Sequence, residues 1–208
     1  FIFLDNLDEN NLLKLKKQKN LQKILFLVIS KSGNTIETIS NLIALKIIKK
    51  KSRNIIIISE RNKSPLYLLS NKYNFFHIEH KKYIGGRYSV LTEPGIVPTI
   101  LMGLNTKRLR KNILLHFKNI KQKFLQDSTL KISNLLKKRK FKNIILLSYS
   151  PRLNGFLFWL QQLIAESLGK NNKGFLPLIS QAPKDHHSLL QLYLSGPKDK
   201  IFYIFSEE

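Results

Sequence analysis

Ser30, Ser32, Thr35 and Thr38 place four hydroxyl side chains in the stretch Val28-Ile29-Ser30-Lys31-Ser32-Gly33-Asn34-Thr35-Ile36-Glu37-Thr38. Hydroxyls in a turn between an apolar strand and a helix suit an anion. The helix start points unpaired backbone N–H groups and the positive end of its dipole back at the turn, and the side chains add neutral donors. No metal is needed. Each hydroxyl taken singly is also an ordinary helix-start residue, and Lys31 reads either as a phosphate contact or as a solvated loop lysine. Gln162 and Glu166 form a second group, four residues apart and so on one helix face. The apolar neighbours of Glu166 would raise its pKa if they bury it, and a carboxylate so tuned is a competent base near neutrality. The plainer reading is a solvated glutamate late in an amphipathic helix.

Asp185-His186-His187-Ser188 reads as a loop after Pro183 and before an apolar stretch at residues 189–194. One histidine there is an acid or base with Asp185 beside it, or both are exposed loop histidines. Adjacent histidines point apart, and no cysteine or suitably spaced histidine is near, so the pair does not indicate a metal. In Gly85-Gly86-Arg87-Tyr88-Ser89 the glycines allow close backbone approach, and Arg87 offers a guanidinium to an anionic or enediolate oxygen. A tight turn with a surface arginine is the alternative.

These residues need elements to hold them. Residues 23–29 predict a buried strand, and Ile36, Ile39, Leu42, Ile43 and Leu45 predict a helix over 35–50. Asn34 and Glu37 have the spacing of a capping box. The β-branched run Asn54-Ile55-Ile56-Ile57-Ile58-Ser59 predicts a buried parallel strand. A short helix at 64–72, a strand at 74–77 and a helix from Pro94 to about Leu104 follow. Lysine-rich helices at 107–126 and 128–139 lead to a strand at 143–147, the turn Ser148-Tyr149-Ser150-Pro151-Arg152, and a helix at 154–168 capped by Gly169. A further strand precedes Glu208. The order strand, hydroxyl-bearing turn, helix thus occurs twice. Strands alternating with helices imply an α/β fold, with mainly parallel sheets flanked by helices in three αβα layers and ligands at the carboxyl ends of the strands.

With 208 residues, 43% of them hydrophobic, the chain has material for one large or two small domains. No apolar run approaches the roughly 18 to 20 residues of a membrane span, and no signal peptide is visible at Phe1. The absence of cysteine rules out disulfides and thiolate sites. Together these predict a soluble, cytoplasmic protein. The net charge of +23 is spread over many short lysine blocks with heavy use of Ile and Asn. It reads as solvated faces and as a compositional habit, not as a groove-reading nucleic-acid surface.

Four ordered motifs carry a resemblance. They are Ser-Lys-Ser-Gly-Asn-Thr-Ile-Glu-Thr at 30–38, Gly-Gly-Arg-Tyr-Ser at 85–89, Gln-Leu-Ile-Ala-Glu-Ser-Leu-Gly-Lys at 162–170, and Asp-His-His-Ser-Leu-Leu-Gln-Leu-Tyr-Leu-Ser-Gly-Pro-Lys-Asp-Lys at 185–200. In these the chain resembles the bacterial glucose-6-phosphate isomerase (phosphoglucose isomerase) family. The resemblance implies two sugar-isomerase (SIS) domains: a small one at 1–105, a helical crossing at 106–140, and the first part of a large one at 141–208. It implies interconversion of glucose 6-phosphate and fructose 6-phosphate through a cis-enediolate, in glycolysis and gluconeogenesis. Ser30, Lys31, Ser32, Thr35 and Thr38 would hold the phosphate. Glu166 would move the proton between C1 and C2, with Arg87 and Gln162 at the reacting atoms. His187 would open the ring, reaching the site of the neighbouring subunit of a homodimer. His186 stands where relatives commonly carry Gln. No cofactor, metal, membrane or specific nucleic acid is implied. The family's Gly-Gly-Ser-type loop and its Gly-Val-Glu-Leu-Gly-Lys-like motif do not occur here, so the chain reads as an internal fragment with little or no activity by itself. A noncatalytic SIS-domain sensor and a bifunctional phosphoglucose/phosphomannose isomerase are the alternatives.

Overall fold

The computed structural model describes residues 1–17, 20–49, 52–137 and 140–207. Residues 50, 138 and 139, expected to be helical, and Glu208 lie outside the described residues. The chain divides into two compact units, Phe1–Arg110 and Lys111–Glu208.

In the first unit, α1 (Glu9–Lys17) precedes three parallel strands in the order β1-β2-β3: β1 (Phe26–Ile29), β2 (Ile55–Ser59) and β3 (Phe76–Glu79). Helix α2 (Ile36–Ala44) joins β1 to β2, and α3 (Pro65–Tyr73) joins β2 to β3. The isoleucine run is the middle strand. Ile57 and Ile58 are successive and both fully buried, so both faces of the sheet are covered there, which is why the sequence shows no polar alternation. Phe26, Val28, Ile55 and Ile57 pack with Leu42 of α2, Leu66 of α3, and Leu15, Leu45, Ile47 and Phe75. Asn54 Nδ2 donates to the carbonyls of Leu21 (3.1 Å) and Ile24 (2.9 Å), pinning the chain before β1 to the start of β2.

Several boundaries differ from those expected. Helix α2 stops at Ala44, with Lys46 in the left-handed region at φ 53°. The cap of α2 is Thr35, and no side chain caps it by a hydrogen bond. The Asn34–Glu37 capping box is therefore not formed, because Glu37 sits one position too early and the Thr35 hydroxyl is turned to Ser30. Asn74 ends α3 in a left-handed turn, which moves β3 to 76–79. Residues 86–91 form a 3-10 helix leading to α4 (Glu93–Leu101) and α5 (Thr106–Arg110).

In the second unit, α6 (Asn119–Lys137) is one helix where two were expected. It leads to a parallel sheet in the order β5-β4-β6, made of β4 (Asn143–Ser148), β5 (Leu176–Gln181) and β6 (Lys200–Phe205). Helix α7 (Asn154–Leu168) joins β4 to β5, and α8 (Lys184–Ser195) joins β5 to β6. Alternate residues of β4 serve opposite faces. Ile144 and Leu146 pack with Leu157 of α7 and with Phe175, while Ile145 and Leu147 pack with Ala182 and Tyr193 of α8. Both units are thus α/β, with parallel three-stranded sheets flanked by helices. The sequence reading did not foresee β5. Pro177 removes a ladder donor, and the strand tolerates it at the edge of the sheet.

Candidate active site

The turn after β1 is a cradle closed by its own hydrogen bonds. Ser30 is buried, and its N–H donates to the Ile58 carbonyl at 3.0 Å, continuing the sheet by one residue. Its Oγ lies 2.7 Å from Thr35 Oγ1 and accepts from Gly33 N at 3.2 Å. Ser32 Oγ accepts from Asn34 N at 3.2 Å. Gly33 has φ +70°, and a Cβ there would lie 2.2 Å from Ser64 Oγ. The turn therefore requires glycine both for its backbone angle and for its space. Thr38 lines a cavity of about 670 Å³ with Ile29, Pro98 and Leu101.

Lys31 is neither free nor simply solvated. Its ammonium lies 3.5 Å from Glu60 Oε1 and donates to the Lys82 carbonyl at 3.3 Å. The latter bond ties the turn to the segment that leads into Gly85 and Gly86. A Cβ on Gly86 would stand 3.9 Å from Lys31 Cβ, so the two motifs are neighbours. Arg87 is half-buried, with its guanidinium carbon 4.8 Å from the centre of the Tyr88 ring. The segment is held by Ser89 Oγ, which donates to the Gly86 carbonyl at 2.6 Å.

The second unit carries the remaining candidates on the helices that follow β4 and β5. Gln162 and Glu166 face each other on α7, with Gln162 Nε2 donating to Glu166 Oε1 at 2.8 Å. Glu166 is exposed, so its apolar sequence neighbours do not enclose it. The segment Asp185-His186-His187-Ser188 is the first turn and a half of α8, not a loop. Its start lacks a conventional N-cap residue, since Pro183 precedes the helix without a side-chain cap. Asp185 Oδ2 instead turns back, accepting from Ser180 Oγ at 3.0 Å and from Gln181 N at 2.7 Å. Asp185 therefore anchors the helix and does not orient a histidine. His186 Nε2 is 3.1 Å from Tyr149 Oη, with the two rings edge to face, whereas His187 is exposed. Among the described residues no cluster of His, Cys, Asp or Glu is arranged to hold a metal ion.

Two participants escaped the sequence reading. Glu60 was invisible because nothing local marks a glutamate after a strand as the partner of a lysine 29 positions earlier. Tyr149 sits in the turn after β4, and only the parallel register of β4 and β5 brings it to His186.

The phosphoglucose isomerase family model matches residues 1–175. The chain belongs to the phosphoglucose isomerase family. That match includes the cradle, the Arg87 segment and the Gln162–Glu166 pair, and it ends before His187. A glucose-6-phosphate isomerase of Methanocaldococcus jannaschii is 36% identical over 209 residues, covering 96% of this chain and 51% of the relative. A probable glucose-6-phosphate isomerase of Methanococcus maripaludis is 33% identical, covering 96% and 47%. The chain thus spans about half the length of these curated relatives. Among solved structures, a hypothetical protein of Thermus thermophilus superposes with a TM-score of 0.84 at 26% identity, over 98% of this chain and 52% of that one. A glucose-6-phosphate isomerase from Chlamydia trachomatis shares the fold, with a TM-score of 0.70 at 22% identity over 96% and 43%. In phosphoglucose isomerase terms, this chain holds the hydroxyl turn and the arginine segment on one unit and the glutamate and histidine on the other. No helix among the described residues is long and apolar enough to cross a membrane.

Proposed function

We propose that the full-length protein interconverts glucose 6-phosphate and fructose 6-phosphate. The observation that carries this reading is the Glu166 carboxylate presented on α7 and held by Gln162 at 2.8 Å, in a chain of the phosphoglucose isomerase family. Moving a proton between C1 and C2 of an open-chain sugar takes a base, a means of stabilising enediolate charge, and an anchor distant from the reacting carbons. Glu166 is the base. Arg87 and Gln162 face the oxygens of the cis-enediolate. The backbone N–H groups and hydroxyls of residues 30–38, Ser30, Ser32, Thr35 and Thr38 among them, hold the phosphate together with Lys31. Binding energy gathered at the phosphate, remote from the reacting carbons, is used to orient the sugar for the proton transfer.

His187 opens the sugar ring, acting as an acid or base in the pH range where imidazole switches. Its exposure on α8 suits a role across a homodimer interface, in the partner subunit's site. The small SIS domain corresponds to residues 1–105 and the opening of the large one to 141–208, with the helical crossing between them. The reaction needs no cofactor, belongs to glycolysis and gluconeogenesis, and takes place in the cytoplasm. A coupled assay of fructose 6-phosphate conversion by the full-length protein tests the reading, run beside Glu166→Gln. Loss of about a thousandfold in kcat, the scale of removing a general base, is expected. An unmodified protein that binds the sugar phosphate but does not isomerise it would refute the function.

A further inference from the structure

The segment between β2 and α3 forms one wall of the anion cradle, and the contacts it makes are specific. Glu60 N donates to the Lys31 carbonyl at 2.9 Å, and Asn62 Nδ2 reaches the Ser32 carbonyl at 3.5 Å. Leu66 N donates to the Gly33 carbonyl at 3.3 Å. Three successive carbonyls of the turn are therefore fixed from this segment and the first turn of α3. The Glu60 carboxylate adds the charge contact, 3.5 Å from the Lys31 ammonium, with side-chain exposures of 18% and 31%.

A carboxylate beside a phosphate subsite repels the ligand, so its presence calls for an explanation. The geometry points to a positioning residue: we propose that Glu60 holds the Lys31 ammonium in place between the phosphate turn and the Arg87 segment. A lysine ammonium has three donors on a flexible stem. Here one donor faces Glu60 and one faces the Lys82 carbonyl, leaving the third for an anion. Without Glu60, the stem regains its rotamers, and the strut between residue 31 and the segment before Gly85 is lost. Glu60 does not touch the substrate; it acts through Lys31. The inference rests on the phosphate-holding role of residues 30–38 proposed above.

The test uses the full-length protein and inorganic phosphate as the probe, with affinity read by calorimetry and amide exchange followed over residues 30–38 and 82–89. Glu60→Gln keeps the shape and removes the charge. It is expected to weaken phosphate binding about fivefold, the scale of a partly exposed ion pair, and to speed exchange over residues 82–89. Glu60→Asp, which keeps the carboxylate, recovers part of both effects. In a Lys31→Gln background, Glu60→Gln changes the phosphate affinity no further. Equal or tighter phosphate binding by Glu60→Gln would overturn the role and make Glu60 a competitor of the ligand. An unmodified protein that does not bind phosphate at all would overturn the phosphate reading, and Glu60's role with it. The two failures are thereby distinguished.

Discussion

Three glycines of the first unit separate two costs that usually occur together. At Gly33, φ is +70°, and an added Cβ would lie 2.2 Å from Ser64 Oγ and 2.8 Å from Ser64 Cβ. Rotating the Ser64 hydroxyl relieves only the first contact, and Ser64, 3% exposed, has no room to withdraw. Gly103 has φ +73° with nothing within 4 Å of its added Cβ. Gly86 is outside the left-handed region, and its nearest neighbour would be 3.9 Å away. A left-handed alanine costs about 1–2 kcal/mol, and overpacking a fixed site adds about 1–3 kcal/mol. Stiffening the unfolded chain returns about 0.4–1 kcal/mol in every case. Alanine should therefore cost about 3 kcal/mol at position 33 and about 1 kcal/mol at 103, and should stabilise by about 0.4–1 kcal/mol at 86. Native-state hydrogen exchange at the buried amides of β1 and β2 reads all three on one scale. Phosphate binding should fall with Gly33→Ala and survive Gly103→Ala. If Gly33→Ala costs no more than Gly103→Ala, the wall formed by Ser64 yields, and the account of a rigid cradle fails.

His77 and Asp185 give two further expectations. Burial, and after it the charge of Arg61, hold the His77 pKa below its ordinary value of 6.5. The native state therefore takes up its proton later than the unfolded chain, and the stability contributed above pH 6.5 is lost as pH falls through the folded pKa. Urea midpoints at pH 7.5 and 5.5 should differ less for His77→Gln than for the unmodified protein, and an equal difference would refute the assignment. Asp185→Ala leaves the Ser180 hydroxyl, 1% exposed, and the Gln181 N–H without their acceptor. The expected cost is about 1–3 kcal/mol, seen as faster amide exchange in the first turns of α8. Unchanged protection there would show that Asp185 does not anchor the helix.

The sequence was most legible where one physical signal dominated. Four consecutive isoleucines have no reading other than a strand buried on both faces, and β2 is such a strand. Helix α7 runs over the residues that its apolar period and Gly169 marked. Legibility failed where a tertiary contact replaced a local one. Asp185 stabilises the start of α8 by bonding backwards to the end of β5, so no cap residue announced the helix, and the two histidines read as a loop. Pro177 disguised β5, because only the strand order shows that it lies at an edge. For the candidate site, the hydroxyl turn and the Gln162–Glu166 spacing were visible, since both are local. The engagement of Lys31 by Glu60 and of His186 by Tyr149 was not, since each joins segments far apart in sequence.

The three hydrophobic clusters have no buried residue in common: one gathers around Ile55 and Ile57, and the two faces of β4 carry the others, around Ile144 and Leu146 and around Ile145 and Leu147. The cradle stands on the first, Glu166 on the helix packed over the second, and His187 on the helix packed over the third. Substitutions in the first cluster and in the β4 clusters, which share no buried residue, are expected to add in their cost to stability. Under the proposed function, the grip on the anion and the chemistry at the carbons therefore rest on separately packed cores.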